Sequence, residues 1–337
     1  MTYSSGGLIQ ATDYNGFVGP TASGGTAGAN LNDIWATGSG DKGWGQTAVG
    51  TVAAAATVTA TQWASLVNDI ATAGAQTSTT ITSRSAPTTG QTITALAAVN
   101  TDLTNITTNR GNAASAGTEY GTFSGTTSKT TATGSGGSAW TITFTTTVTF
   151  PSADQARYFW NAGGIVKLQY GKSSTGTDHD PDWNTFAGQC GSINITGRVN
   201  GAAQTIAGQS YTGTTRIGGT GGTQTTLTTT TGWYQLSTSP TTIFQLNSAT
   251  SPYTGEYIKT TATATSSTVL TLVTTWYDNG DANPGASSNI SGGTATSSPS
   301  TTITGTAPTT LVTYLPPSTS QGLSNSWGTP TIASSVA

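Results

Sequence analysis

Apolar residues recur with a helical period in the segment TVTATQWASLVNDI, which begins at residue 57. Trp63, Leu66, Val67 and Ile70 follow an i, i+3, i+4, i+7 spacing, which places them on one face of an α-helix. Residues Thr59–Gln62 match the capping-box pattern Thr-x-x-Gln at the start of a helix. The segment is therefore predicted to form an amphipathic helix.

A second apolar stripe follows a polar connection. It consists of Ile93, Leu96, Val99, Leu103 and Ile106. Gly111 is predicted as the C-cap of this second helix. We therefore expect a helical hairpin over residues 57–112. Its stripes have two alternative partners: each other and the rest of the chain, or the stripes of neighbouring copies in a small bundle around a symmetry axis.

The period changes to two at residue 140. In WTITFTTTVTF, apolar residues take alternate positions and threonine takes nearly all the others, which predicts a strand with one apolar face. Similar short runs follow: GGIVKLQY, SINITGRV, GWYQLS, TIFQL, EYIKTTATA, TVLTLVTTW and TLVTYL. Turn residues separate these runs. The sequence thus predicts a mainly β protein with a small N-terminal α-helical part, in which an antiparallel β-sandwich or barrel follows the helical hairpin.

These patterns divide the chain into four parts. Residues 1–56 are expected to form an anchoring segment of ordered coil held by Trp35 and Trp44. The helical hairpin over 57–112 follows. Residues 113–138 are a Gly/Ser/Thr-rich linker, and residues 139–337 form the β domain.

Charge is scarce: only 7% of the 337 residues are charged, with 10 Lys and Arg against 13 Asp and Glu. Such a chain cannot neutralise a row of phosphates, so neither nucleic acid nor an anionic membrane is expected as a partner. The single His179 and single Cys190 exclude a zinc site of the usual ligand count within one chain. No apolar stretch reaches bilayer length and no signal peptide is recognised, so we expect neither membrane insertion nor secretion by that route.

The segment GTDHDPDWNTF is the densest acidic cluster. Its candidate metal ligands are Asp178, Asp180, Asp182 and Asn184. Their alternate positions are the spacing by which a Ca²⁺ loop collects oxygen ligands, although Trp183 and Gln189 depart from the EF-hand pattern. The alternative is a polar turn between strands, in which the carboxylates cap backbone N–H groups. Ca²⁺ is the one cofactor that the sequence raises.

Aromatic residues beside polar loops are candidates for stacking on sugar rings. They are Trp183, Trp233, Tyr234, Trp276 and Tyr277. Trp and Tyr suit this role because they combine an apolar face with a hydrogen-bonding edge. The alternative for each is packing in the core. The three aspartates of the acidic segment could also serve glycoside hydrolysis as paired carboxylates.

Several strings spread over the whole chain carry a resemblance to a known group. They are GLIQATDYNGF, LNDIWATGSGDKGWGQ, VTATQWASLVNDI, ARYFWNAGGIVKL, DPDWNTF, SPYTGEYIKTTATA and WGTPTIASSVA. They resemble virion structural proteins of tailed phages, especially marine phages of cyanobacteria. The most specific string is ARYFWNAGG at 156–164, where the group has Phe-Phe and this chain has Phe159 and Trp160.

The resemblance and the composition together predict a non-enzymatic phage structural protein located in the virion and assembled in the host cytoplasm. A tail-associated fibre or appendage that contacts host surface glycans is the first expectation. The alternatives are a capsid or neck decoration protein that stabilises the particle, and a polysaccharide depolymerase. The expected partners are other virion proteins and further copies of the chain, with a trimer favoured.

Overall fold

The computed structural model describes residues 11–19, 29–89, 96–119, 131–133, 140–173, 180–249, 253–278, 300–302 and 307–337. Over these residues the protein is mainly β, built from antiparallel sheets, with a few helices that lie mostly in the N-terminal part. The predicted fold class is confirmed at this level.

The helices are α1 (Ala11–Val18), α2 (Leu31–Trp35), α3 (Ala60–Gln76), α4 (Leu96–Thr108), α5 (Ala153–Asn161) and α6 (Asp180–Cys190). The strands are β1 (Thr131–Thr133), β2 (Trp140–Thr149), β3 (Ile165–Gly171), β4 (Ser192–Ile195), β5 (Gln204–Ile206), β6 (Gln209–Tyr211), β7 (Thr214–Ile217), β8 (Thr223–Leu227), β9 (Thr241–Asn247), β10 (Tyr257–Ser266), β11 (Val269–Asp278), β12 (Ser300–Thr302), β13 (Thr309–Leu315) and β14 (Thr331–Val336). Short 3-10 helices cover Val199–Gly201 and Trp233–Gln235. The run GWYQLS, predicted as a strand, therefore contains a 3-10 turn, because Trp233 turns inward to stack on Trp160.

The N-terminal part contains α1 and α2 where ordered coil was expected. Asn30 caps α2, since its side-chain oxygen accepts a hydrogen bond from the Asp33 N–H at 3.1 Å. Trp35 and Trp44 are both buried, as predicted. The Trp44 indole N–H donates to the Asn161 carbonyl oxygen at 3.1 Å, which fixes this segment to helix α5.

The helical hairpin begins at the predicted capping box. Thr59 Oγ1 accepts from the Gln62 N–H at 3.2 Å, and Gln62 Oε1 accepts from the Thr59 N–H at 2.9 Å. All four stripe residues of α3 are buried, and so are the stripe residues of α4 from Val99 onward. These residues therefore pack within the chain and are not available to neighbouring copies.

The second helix departs from the prediction at its C-terminal end, and its predicted start is not tested. Ile93 lies outside the described residues. Helix α4 ends at Thr108, and Gly111 does not adopt the left-handed backbone of a C-cap glycine. The chain instead leaves the helix through a turn in which the Asn112 N–H donates to the Asn109 carbonyl oxygen at 2.8 Å.

Two larger antiparallel sheets form most of the β region, and β1 with β12 and β5 with β6 form two-stranded sheets. The larger has six strands in the order β14-β2-β11-β10-β9-β8, and the smaller has four in the order β13-β3-β4-β7. Neither sheet closes on itself within the described residues. Tyr170 of β3 stacks on Phe244 of β9 with ring centroids 6.0 Å apart, and its hydroxyl lies 2.8 Å from Thr260 Oγ1 of β10. The Trp276 indole N–H of β11 donates to Thr310 Oγ1 of β13 at 3.4 Å, so the two sheets meet through buried side chains.

One hydrophobic cluster joins the N-terminal segment, the helical hairpin and the β region. Gln46 links the first of these to the C-terminal part, because its Oε1 accepts from the Ser324 N–H at 2.7 Å. Gly45, at φ +70°, lies so close to the Tyr158 ring of α5 that a Cβ there would come within 2.4 Å of it. The predicted boundaries near 56, 112 and 138 stay predictions, but the parts on either side of them pack together.

Candidate functional site

The acidic segment lies at the beginning of helix α6, so the expected polar turn between strands is wrong from Asp180 onward. Asp178 lies outside the described residues. Asp182 is half-buried and Asn184 is exposed. Positions two apart on a helix are rotated by about 200°, so the structure does not bring these two side chains together. A Ca²⁺ site in this segment stays a prediction.

Helix α6 forms because its apolar residues have a helical period that the sequence analysis missed. Trp183, Phe186, Ala187 and Cys190 follow the same i, i+3, i+4, i+7 spacing as the stripe of α3, and all four are buried. Pro181 occupies the first turn, where its fixed φ favours a helix start. Burial raises the pKa of Asp182 above its ordinary value and raises that of the Cys190 thiol well above the usual range. Among the described residues, no group of three or more His, Cys, Asp or Glu could hold a metal ion.

Three of the aromatic candidates are core residues. Trp183 and Trp276 are fully buried and stack on each other with centroids 5.6 Å apart. Trp233 stacks on Trp160 at 5.5 Å. Tyr234 is half-buried beside this core, and its hydroxyl donates to Asn161 Oδ1 at 2.5 Å. The three tryptophans present no ring to a ligand.

Tyr277 belongs instead to a polar and aromatic cluster on the outer face of the six-stranded sheet. This tyrosine patch consists of Gln245, Asn247, Tyr257, Lys259 and Tyr277. Tyr257 and Tyr277 are directly opposite each other on β10 and β11, and their rings stack with centroids 4.7 Å apart and planes inclined by 21°. Asn247 and Gln245 of β9 lie opposite Tyr257 and Lys259 of β10. All five side chains are half-buried.

Charge and hydrogen bonding organise the tyrosine patch. Lys259 Nζ lies 5.3 Å from the centre of the Tyr257 ring, in range for a cation–π contact. The Gln245 side-chain amide donates to Asn247 Oδ1 at 3.0 Å. Burial, and then the neighbouring Tyr277, raise the pKa of Tyr257, so its hydroxyl stays protonated and can donate a hydrogen bond. The patch thus combines aromatic rings, amides, a hydroxyl donor and one cation.

Hydroxyl groups cover the rest of this outer face. Alternate residues of the sheet point to it, and most are threonine. They include Thr141, Thr143, Thr145, Thr147, Thr149, Thr261, Thr263, Thr271, Thr275, Thr331 and Ser335. Among the described residues of the six strands, Lys259 is the only charged side chain on this face. The surface can form hydrogen bonds in any direction but offers almost no charge.

Two clefts lie away from this face. One, of about 430 Å³, is bordered by Asp69, Gln62 and Trp35, and burial raises the pKa of Asp69 to about 6. The other, of about 600 Å³, is bordered by Glu119. Burial alone would raise the pKa of Glu119, but hydrogen bonds from Thr313 and Lys167, together with the Lys167 charge, hold it below its ordinary value. Glu119 is thus an ionised, paired group at the smaller sheet.

No family model matches the chain, and neither a curated protein nor a solved structure is similar to it. None of the described helices is long and apolar enough to cross a bilayer. The function must therefore be argued from the surface chemistry and from the resemblance of the strings named above.

Proposed function

We propose that this chain is a virion structural protein of a tailed phage, a tail-associated fibre or appendage that contacts host surface glycans. The observation that carries the proposal is the outer face of the six-stranded sheet, with its threonine hydroxyls and the tyrosine patch. The resemblance of strings along the whole chain supports the assignment to the particle. We further infer that the two facing sheets form a β-sandwich, which would give this face a stiff support.

Glycans fit the chemistry of this face. A sugar presents hydroxyl groups around an apolar ring, so it needs hydrogen-bonding partners beside an aromatic surface. The amides of Gln245 and Asn247 and the hydroxyls of Tyr257 and Tyr277 supply donors and acceptors next to two rings. Lys259 gives the patch a preference for sugars that carry a carboxylate or sulfate group.

Binding to purified host polysaccharide tests this site. Tyr257→Thr and Tyr277→Thr keep a strand-forming residue and remove the ring, so affinity should fall about fivefold for each, as expected for the loss of roughly 1 kcal/mol of stacking. Thr147→Ala on the same face is the matched control and should bind as the unchanged chain does. Equal binding by all of these variants would refute the glycan site, and release of reducing ends would support the depolymerase alternative instead.

A map of the whole particle tests the location. Density for this chain in the tail or its appendages is expected. Density on the capsid or neck would contradict the fibre proposal and support the decoration protein. A particle that lacks the chain would contradict both hypotheses. We propose homo-oligomerisation as well. The trimer favoured in the sequence analysis stays a prediction, and the buried stripes of α3 and α4 cannot be its contact surface.

A further inference from the structure

Strand β14 is an edge of the six-stranded sheet. It pairs with β2 on one side, and no strand within the described ranges pairs with its other side. An edge strand presents a row of N–H and C=O groups that can pair with another chain, and proteins usually block such edges with charge, proline, a bulge or a covering segment.

The other three edges of the two larger sheets each carry such a feature. Strand β8 has a register shift between Gln224 and Thr226. Strand β7 has only four residues and includes Arg216. Strand β13 ends at a proline pair whose first carbonyl oxygen accepts from the Gly117 N–H at 2.9 Å, and Glu119 accepts from Thr313 at 2.6 Å, so residues 116–119 flank it. By contrast, β14 reads TIASSV with an unbroken register and neither charge nor proline.

The hydrogen bonds to β2 define which backbone groups of β14 are available. Ala337, just beyond the strand, and Thr143 exchange both N–H···O bonds, at 2.9 and 3.0 Å. Because this direction alternates along an antiparallel strand, the odd-numbered residues of β14 face β2. Ile332, Ser334 and Val336 therefore direct their N–H and C=O groups to the outer edge.

We propose that a second copy of this chain pairs with this edge, β14 against β14, antiparallel across a two-fold axis at Ser334. In this register Ser334 lies opposite Ser334 of the second copy, and Ile332 lies opposite Val336 of the second copy. The two six-stranded sheets then continue as one sheet through the contact.

The strand is self-complementary in this register. All three outward residues take part, which gives about six hydrogen bonds, whereas a shift by two residues leaves about four. Ile332 and Val336 are half-buried at the margin of the core and lie at equal distances from Ser334. At each end of the contact, Ile332 of one copy would therefore pack against Val336 of the other. On the outer face Ala333 meets Ser335, and no like charges are brought together.

The partner at this edge is a second copy of the chain because the strand is complementary to itself. In the two-fold arrangement β14 of one copy supplies the donors, acceptors and apolar side chains that β14 of the other requires. The proposal does not rest on the proposed function. It differs from the predicted trimer, since a two-fold contact of this kind closes with two copies.

Sedimentation of the full chain provides the first test. We expect a monomer–dimer equilibrium in the micromolar range or tighter. Ser334→Pro removes an N–H that pairs with no strand in the described part of the chain, and it should raise the dissociation constant about thirtyfold, from two lost hydrogen bonds per dimer. Ser334→Ala is the matched control: like the proline variant it loses the hydroxyl that lies 2.5 Å from Thr146 Oγ1, but it keeps the N–H and should remain dimeric. A monomer at high concentration, or an oligomer that is insensitive to Ser334→Pro, would overturn the proposal.

Disulfide trapping tests the register, and it remains decisive if the proline variant does not fold. Residues 333 and 335 would be opposite each other across the axis, about 4.5 Å apart at Cα, which suits a disulfide. The native Cys190 is buried and should not interfere. A mixture of Ala333→Cys and Ser335→Cys chains should form a cross-linked dimer on mild oxidation, while each variant alone should cross-link at least tenfold less. This register would be contradicted if either variant alone cross-linked as well as the mixture. It would also be contradicted if the mixture did not cross-link.

Discussion

The N-terminal helical part and the outer face of the six-stranded sheet use polar side chains in opposite ways. The helical part holds several of its charges in shielded pairs: the side chains of Arg84 and Asp102 are only 8% and 3% exposed, and Arg110 pairs with Asp41 at 3.1 Å. The sheet face presents hydroxyl groups and a single cation. Several charges of the helical part thus connect loops to helices, whereas the outer face of the sheet carries only one charge among the described residues.

Asp102 illustrates why a charge is needed there. Its carboxylate accepts from the Thr82 N–H at 3.1 Å and from the Arg84 guanidinium, so it holds the segment after α3 against α4. Arg157 has a similar role and donates to the carbonyl oxygens of Thr37 and Lys42 at 2.5 and 2.7 Å. One ionised group can join several backbone partners, whereas a threonine hydroxyl donates only one hydrogen bond.

Breaking the buried pair should have the largest effect on stability. Arg84→Met leaves the Asp102 carboxylate buried without its cation, so we expect a loss of about 3–5 kcal/mol in the free energy of unfolding. Denaturant unfolding at pH 7 measures it. The double variant Arg84→Met with Asp102→Leu should recover at least about half of that loss, because no uncompensated charge remains. A loss below about 1 kcal/mol in the single variant would show that the pair does not hold these segments.

An intermediate effect on stability is expected at Asp69. This carboxyl belongs to the same helical part, but no ion pair with a cation is found for it among the described residues. Its pKa in the folded chain is raised from 3.8 to about 6 by burial. Below about pH 3 the Asp69 carboxyl is neutral in both states and has no effect on stability. As pH rises to 6 the unfolded chain ionises first, so stability falls over this window and then levels off.

Asp69→Asn should therefore stabilise the chain at pH 7 by about 1–2 kcal/mol, a value reduced from the full shift because the side chain is only half-buried. The gain should disappear at about pH 3. Denaturant unfolding at both pH values measures the difference, and Asn68→Asp at an exposed position of the same helix serves as a control for helix charge. A gain that is the same at both pH values would rule out the ionisation of Asp69 as its cause.

The smallest effects are expected on the outer face of the sheet. Thr147→Lys and Lys259→Met change its charge in opposite directions, and each should alter stability by no more than about 0.5 kcal/mol, because both side chains are partly solvated. Thermal unfolding of the two variants against the unchanged chain measures this. A loss of more than about 1.5 kcal/mol in the free energy of unfolding of either variant would mean that side chains on this face are packed as tightly as those of the helical part. The two regions would then not differ in how they use polar side chains.

Much of the fold could be predicted wherever a single period dominates. The capping box at Thr59 and the alternation in β2 lead directly to α3 and to a strand of the larger sheet. Helix α6 was not predicted, because the alternating aspartates at its start also fit a Ca²⁺ loop or a polar turn and overlap the apolar stripe that starts at Trp183. The tyrosine patch could not be predicted either, since Gln245, Tyr257 and Tyr277 lie on three strands whose register the sequence alone does not define.

The sequence by itself determined the local elements and their polar character: which stretches are helical or extended, and that hydroxyls replace charges along the strands. Only the tertiary structure decided that the described stripe residues of the hairpin are covered within the chain, and which rings are buried and which lie on the outer face. It alone also showed that β14 is an edge strand whose outer side pairs with no described strand. The physical reason is that periodicity depends on neighbours a few residues apart, whereas burial and strand order depend on contacts between residues far apart in the chain.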